Sequence, residues 1–145
     1  MAGSASDYLE KKIADLVFGG VAFTAITPLF FGLLTDTNTT TQRDAGTVTE
    51  MTTTSWTNYA RVSVTNNLTN FPAASGITAA KSNGTAISFG TAVVTGTAPV
   101  ATAVGVWDAS SAGNLLYSAD LGSTQTISNG NTVQFAPGAF ALTVD

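Results

Sequence analysis

The chain has neither cysteine nor histidine. The first absence removes disulfides, thiolate metal sites and cysteine nucleophiles together. The second removes the side chain that most often moves protons near neutral pH. The usual triads and thiol mechanisms therefore have no material here. Charge is scarce too: 10% of the residues are charged, against about 25% in an ordinary soluble domain. The basic residues Lys11, Lys12, Arg43, Arg61 and Lys81 are scattered. No stripe exists to gather the several phosphate contacts of nucleic-acid binding. No apolar run reaches the roughly 18 residues of a membrane span, and the charges ahead of the first apolar stretch do not suit a signal peptide. The expectation is a chain with no cofactor, no metal, no nucleic-acid partner and no membrane partner.

Threonine fills the gap, at 25 of 145 residues. Hydroxyls and amides cost less to dehydrate than ions, so the composition suits a Thr-rich strand surface or one covered by neighbouring subunits. A net charge of −4 helps keep so sparsely charged a chain soluble. The length is most simply one domain, in which roughly 68–70% of the unfolded chain's surface is buried.

Along the chain, Ser4-Ala5-Ser6-Asp7 offers capping hydroxyls and an acidic first turn. Leu9, Ile13, Leu16 and Val17 recur at helical spacing, and Gly19-Gly20 stops the helix. About three turns do not hold alone, so the segment 1–20 is expected to pack on its own sheet or on a partner. Leu29 to Leu34 reads as a central strand. The segment 35–55 is the least patterned and is expected to be a long Thr-rich loop, with a weak edge strand at 47–51. Trp56, Ala60, Val62 and Val64 share one strand parity, which turns Trp56 inward and Tyr59, Arg61 and Ser63 outward.

Asn66 to Asn83 is a turn-rich link, and Ile87 and Phe89 begin the second half. Thr102 to Asp108 is apolar on both faces and reads as central. Asn129-Gly130 is the strongest hairpin signal, between Thr126-Ile127 and Val133–Phe135. Pro137-Gly138 suits a type II turn leading to a last strand with Phe140, Leu142 and Val144 inward. The expected fold is mainly β: an antiparallel β-sandwich of jelly-roll or Greek-key type over 21–145, preceded by one short N-terminal α-helix.

Carboxylate chemistry is the one catalytic option left, with Asp108 and Asp120 or Asp36 and Asp44 as pairs. Each sits beside Ser, Asn or Gly, where aspartate commonly forms turns, so no enzyme is expected. Asp108, Ser110 and Asn114 lack the spacing of a calcium loop. Gly90, Gly96 and Gly105 fit no phosphate-binding fingerprint. Asn-x-Ser/Thr triplets at Asn38, Asn67 and Asn83 are frequent by chance in so Thr-rich a chain.

Several segments resemble a family of small tailed-bacteriophage virion proteins. They are Ser6-Asp7-Tyr8 running into Leu9–Ile13 and Phe18–Phe23, Gly32–Thr35, Tyr59-Ala60-Arg61, Val104–Asp108, Gly113–Tyr117 and Gly130–Phe135. Members of that family carry tail-fibre, minor-tail and capsid-decoration labels. The resemblance implies a virion component without catalytic residues. Charge depletion and the long loop then favour a capsid decoration (cement) protein on the capsid exterior, a homotrimer holding neighbouring major capsid protein subunits. Contacts are expected from the N-terminal segment (Leu9, Ile13), the loop (Thr39, Thr40, Arg43) and the strand residues Tyr59 and Arg61. The alternatives are a minor tail or fibre-base protein bound to other tail proteins, and a carbohydrate-binding adhesion module stacking sugars on Tyr59, Trp107 or Tyr117.

Overall fold

A computed structural model describes residues 3–76 and 79–143. Its elements run β1 (Gly3–Ala5), α1 (Asp7–Phe18), β2 (Leu29–Leu34), α2 (Thr40–Ala45), β3 (Val62–Val64), β4 (Lys81–Ser82), β5 (Ile87–Thr91), β6 (Val100–Trp107), β7 (Leu115–Thr126), β8 (Thr132–Phe135) and β9 (Ala141–Leu142). The fold is mainly β and antiparallel. Five strands form one sheet in the order β1-β7-β6-β2-β3, and two ribbons, β4-β9 and β5-β8, stand apart from it.

The strands apolar on both faces, β2 and β6, lie inside the five-stranded sheet, as strands covered on both sides must. On one face Phe31 and Leu33 sit opposite Val106 and Val104. The ribbons and their flanking loops cover that face, bringing Phe71, Ile87 and Phe140 onto Phe31, and Met51, Trp56 and Ile127 onto Leu33. Phe140 meets the Phe31 ring edge-on at 5.2 Å between centroids. Full burial of side chains of this size stabilises by about 1.5–3 kcal/mol each.

The other face belongs to the Thr-rich segment, which is not the structureless loop its composition suggests. Thr39 caps α2 and exchanges hydrogen bonds with Gln42, and Gly46 ends the helix in the left-handed region at φ +67°. The chain then runs beside β2, with the Thr35 amide donating to Thr49 and the Met51 amide to Leu33. This is the weak edge pairing expected at 47–51. Val48 lands on Leu34, Ala103, Trp107 and Leu115. The Thr-rich segment thus covers part of the second face of the sheet through Val48.

Ser6 caps α1 as expected, with Gly19 at its other end and Gly20 at φ +63°. The residues before it do more than cap. They add β1 to the edge of the sheet, pairing Ser4 with Ser118, and the Ser6 hydroxyl donates to the Leu115 carbonyl.

Three expectations need correction. The strand read from Trp56 starts only at Val62. The Tyr59 amide donates to Trp56 O at 2.9 Å, and this turn breaks the parity, so Trp56 and Tyr59 both face the core. The Asn129-Gly130 turn joins no hairpin. β7 pairs with β6 and β8 with β5, because Ile127 is drawn into the core and the turn docks on the 92–94 segment, its Gly130 amide donating to Ala92 O. Pro137-Gly138 does form the expected turn, with the Ala139 amide on Ala136 O and Gly138 at φ +79°. The strand after it is short and pairs with β4 rather than β8. Phe140 is buried, Leu142 is half-buried, and Val144 lies outside the described residues.

Candidate functional site

The polar residues singled out from the sequence fall mostly into internal networks. Tyr59 and Arg61, expected to face outward, are folded against the Thr-rich segment. Arg61 Nη2 meets Glu50 Oε2 at 2.8 Å, and its Nε also donates to that carboxylate. Nη1 donates to the carbonyls of Ala109 and Ala112 at 2.7 and 2.8 Å. The guanidinium also stacks over Trp107, 4.0 Å from the ring centroid. The Tyr59 hydroxyl donates to Glu50 Oε1 at 3.0 Å and accepts from the Leu33 amide at 2.8 Å. This clasp joins Gly32–Thr35, Tyr59-Ala60-Arg61 and Val104–Asp108, three of the segments that carry the family resemblance.

Burial first, then the Glu50 charge beside it, pushes the Tyr59 phenol far above its ordinary value of 10.0. The neutral phenol therefore belongs to the folded state. Its stabilisation is complete below the unfolded-chain pKa of about 10 and is lost as pH rises beyond that. Stability is expected to fall above about pH 10 by up to ~1.4 kcal/mol per pH unit. Tyr59→Phe should be less stable at neutral pH, because the Leu33 amide loses its acceptor, yet flatter with pH. Denaturant titrations across the alkaline range test this; equal slopes for the two proteins would remove Tyr59 as the titrating group.

Three of the candidate catalytic aspartates, Asp36, Asp108 and Asp120, are engaged by internal donors. Asp36 accepts from the amides of Asn38 and Thr49 and from Gln42 Nε2. Asp108 accepts from the amide and side chain of Asn114, both at 2.7 Å, so Asn114 donates to Asp108 instead of joining it as a ligand. Asp120 takes Asn38 Nδ2 at 2.9 Å and lies 3.9 Å from Arg43 Nη1. Asp120 pairs with Ala103, whereas Asp108 lies beyond Trp107, so the sheet does not bring these two carboxylates together. Among the described residues no group of three or more carboxylates gathers as a metal site.

Two of the triplet asparagines are buried. Asn38 accepts from Ser118 at 2.8 Å. Asn83 binds the carbonyls of Thr85 and Ala136 and the amide of Phe140. The aromatics considered for sugar stacking, Tyr59, Trp107 and Tyr117, are also buried, so an open platform made from them is corrected away. Within the loop, Thr39 and Thr40 are exposed, while Arg43, at 15% side-chain exposure, reaches Asp120.

An apolar surface without an internal use lies on α1. Tyr8 and Leu9 pack on the core, but the rest of the apolar stripe stays largely uncovered. Ile13, Leu16 and Val17 are exposed, Phe18 is 91% exposed, and Val21 continues the patch. The sequence showed the stripe but not that the core covers only its first turn. Exposed Glu10 and Asp15 flank it, and α1 has no basic residue in its last turn. An exposed apolar patch rimmed by polar residues marks an interaction surface.

The chain matches a family described as podophage GP4 fiber I protein gp80 over residues 4–143. No curated protein matches the chain. The match takes in the sheet, both ribbons, the Arg61 clasp and α1. The chain thus belongs to the family of the podophage GP4 fiber I protein gp80, and it is a structural protein of a bacteriophage virion.

Proposed function

We propose that the chain is a non-catalytic building block of the podophage tail fibre, joined to its neighbours through the apolar surface of α1. The single observation that carries this reading is the family match from residue 4 to residue 143, whose description names a fibre protein. It supports the fibre alternative over the capsid-decoration expectation. The internal networks support a building block rather than an enzyme. Asp36, Asp108 and Asp120 fix turns and loops, and the Glu50–Arg61 pair fastens the sheet to its cover. Such a module contributes stiffness and a docking face, and it stabilises whichever assembly it binds by mass action.

Location tests the reading. Antibody–gold labelling of intact particles, or density from electron cryo-microscopy into which the fold is fitted, is expected to find the chain on the tail fibres in a small number of copies. Label spread over the head shell in hundreds of copies would overturn the fibre reading in favour of capsid decoration.

A further inference from the structure

The same triplet occurs twice in the chain, as Ser82-Asn83-Gly84 and as Ser128-Asn129-Gly130. Glycine has no side chain to shield its backbone nitrogen, so that nitrogen reaches the Cγ of a preceding asparagine with unusual ease. The local sequence is shared, and the fold alone separates the two sites. Asn83 is buried. Its Nδ2 donates to the carbonyls of Thr85 and Ala136, and its Oδ1 accepts from the Phe140 amide. The Gly84 amide donates to Asn70 O at 2.7 Å. Gly84 is also hemmed in by backbone, since a Cβ there would stand 2.4 Å from Thr69 O.

The other site is open to solvent. Ser128, Asn129, Gly130 and Asn131 are all exposed, and Gly130 lies in the left-handed region at φ +84°. The Asn129 Nδ2 has no acceptor among the described residues. Three hydrogen bonds dock this turn on its neighbour. The Gly130 amide donates to Ala92 O at 2.8 Å, Asn131 O accepts from the Ala92 amide at 2.8 Å, and Asn129 Oδ1 accepts from the Val94 amide at 3.0 Å. While docked, the Gly130 nitrogen is committed elsewhere. Exposed turns open at far lower free energy than a core does, and an opened turn frees that nitrogen to meet Asn129 Cγ.

We infer that Asn129 is a site of spontaneous deamidation gated by the docking of its turn, and that burial keeps Asn83 out of the same reaction. The Gly130 nitrogen gives up its proton and bonds to Asn129 Cγ. The Cγ–Nδ2 bond breaks, ammonia leaves, and a succinimide ring closes. Water then opens the ring at either carbonyl, giving aspartate or isoaspartate. Water enters, ammonia departs, and nothing is oxidised or reduced. Either product places a negative charge in the segment 121–144, which has no charged residue. Isoaspartate also routes the main chain through its Cβ, so the three bonds to Ala92 and Val94 lose their register. The change runs one way and accumulates with the time the turn spends undocked.

The test incubates the purified chain at mildly alkaline pH and follows the peptides that carry residues 83 and 129 by mass spectrometry. In the native chain Asn129 is expected to convert roughly tenfold faster than Asn83, or more. In denaturant the two should convert at matching rates, because they share their neighbours. Asn58 supplies a second arm. It is exposed and clips the docking segment from outside, its Nδ2 on Thr91 O at 3.0 Å and its Oδ1 taking the Val93 amide at 2.9 Å. Asn58→Ala should speed conversion at Asn129 several-fold and leave Asn83 unchanged, with circular dichroism verifying the fold. Equal native rates at the two sites would overturn the proposal. So would a native Asn129 that stays intact while the denatured chain reacts, or a rate at Asn129 indifferent to Asn58→Ala.

Discussion

Arg61→Met is expected to destabilise the fold by about 3–5 kcal/mol, the range for breaking a buried ion pair from one side. The side chains of Arg61 and Glu50 keep 7% and 24% of their exposure, so solvent screens them little. Methionine retains much of the stem's packing. It leaves the Glu50 carboxylate without its cation and the carbonyls of Ala109 and Ala112 without a donor. Most of the cost lies in those stranded groups rather than in the attraction that is lost. Glu50→Gln combined with Arg61→Met should therefore cost less than the two single losses added together. Midpoints and slopes of denaturant unfolding measure all three variants. A loss below about 1 kcal/mol for Arg61→Met would mean that the pair behaves like one on the surface.

Gly105→Ala is the second large effect. A Cβ at this position would stand 2.4 Å from Trp107 Cη2 and 2.6 Å from Cζ3. The cross-strand partner of Gly105 is Gly32, where a Cβ would lie 2.8 Å from the same ring and 2.6 Å from Glu50 Oε1. The two glycines leave the room that the indole fills. The ring has little freedom to retreat, because Arg61 stacks on its face and is itself tied to Glu50 and two carbonyls. Overpacking of this kind costs about 1–3 kcal/mol and at times more, or roughly 2–4 °C of thermal midpoint per kcal/mol. Gly122→Ala is the control, since nothing lies within 4 Å of a Cβ there. Equal thermal midpoints for the two variants would show that the indole yields without cost.

The patterns legible in the sequence were those enforced by two-sided burial. Leu29 to Leu34 and Thr102 to Asp108 are apolar on both parities, and both lie in the middle of the sheet. Helix α1 was legible through its stripe and its stops, Ser6 and Gly19. What failed depended on partners distant in the chain. Tyr59 reads as outward only if the strand is unbroken from Trp56, and a turn of four residues reverses it. Val133–Phe135 looks like the return arm of a hairpin, yet β5 claims its hydrogen bonds. Phe71, in a link read only for its turns, reaches Phe31 at 6.0 Å between ring centroids. Of the surface residues expected to make contacts, Ile13 stays exposed while Tyr59 and Arg61 are internal. Charged and aromatic residues look like surface features in a sequence, and only a tertiary partner reveals that they are enclosed.

The order of strands in the sheet also sets when this protein can begin to fold. β2 has β6 on one side, with Phe31 against Val106, and β1 meets Tyr117 to Ala119. Ladders that join such distant segments form slowly, because the loop between them must be closed before any pairing rewards it. On the ribosome, β1, α1 and β2 emerge long before their partners. Until β6 has left the exit tunnel, the apolar run 29–34 has only β3 and the 49–51 segment to pair with. A nascent chain stopped before β6 therefore has no centre to its five-stranded sheet.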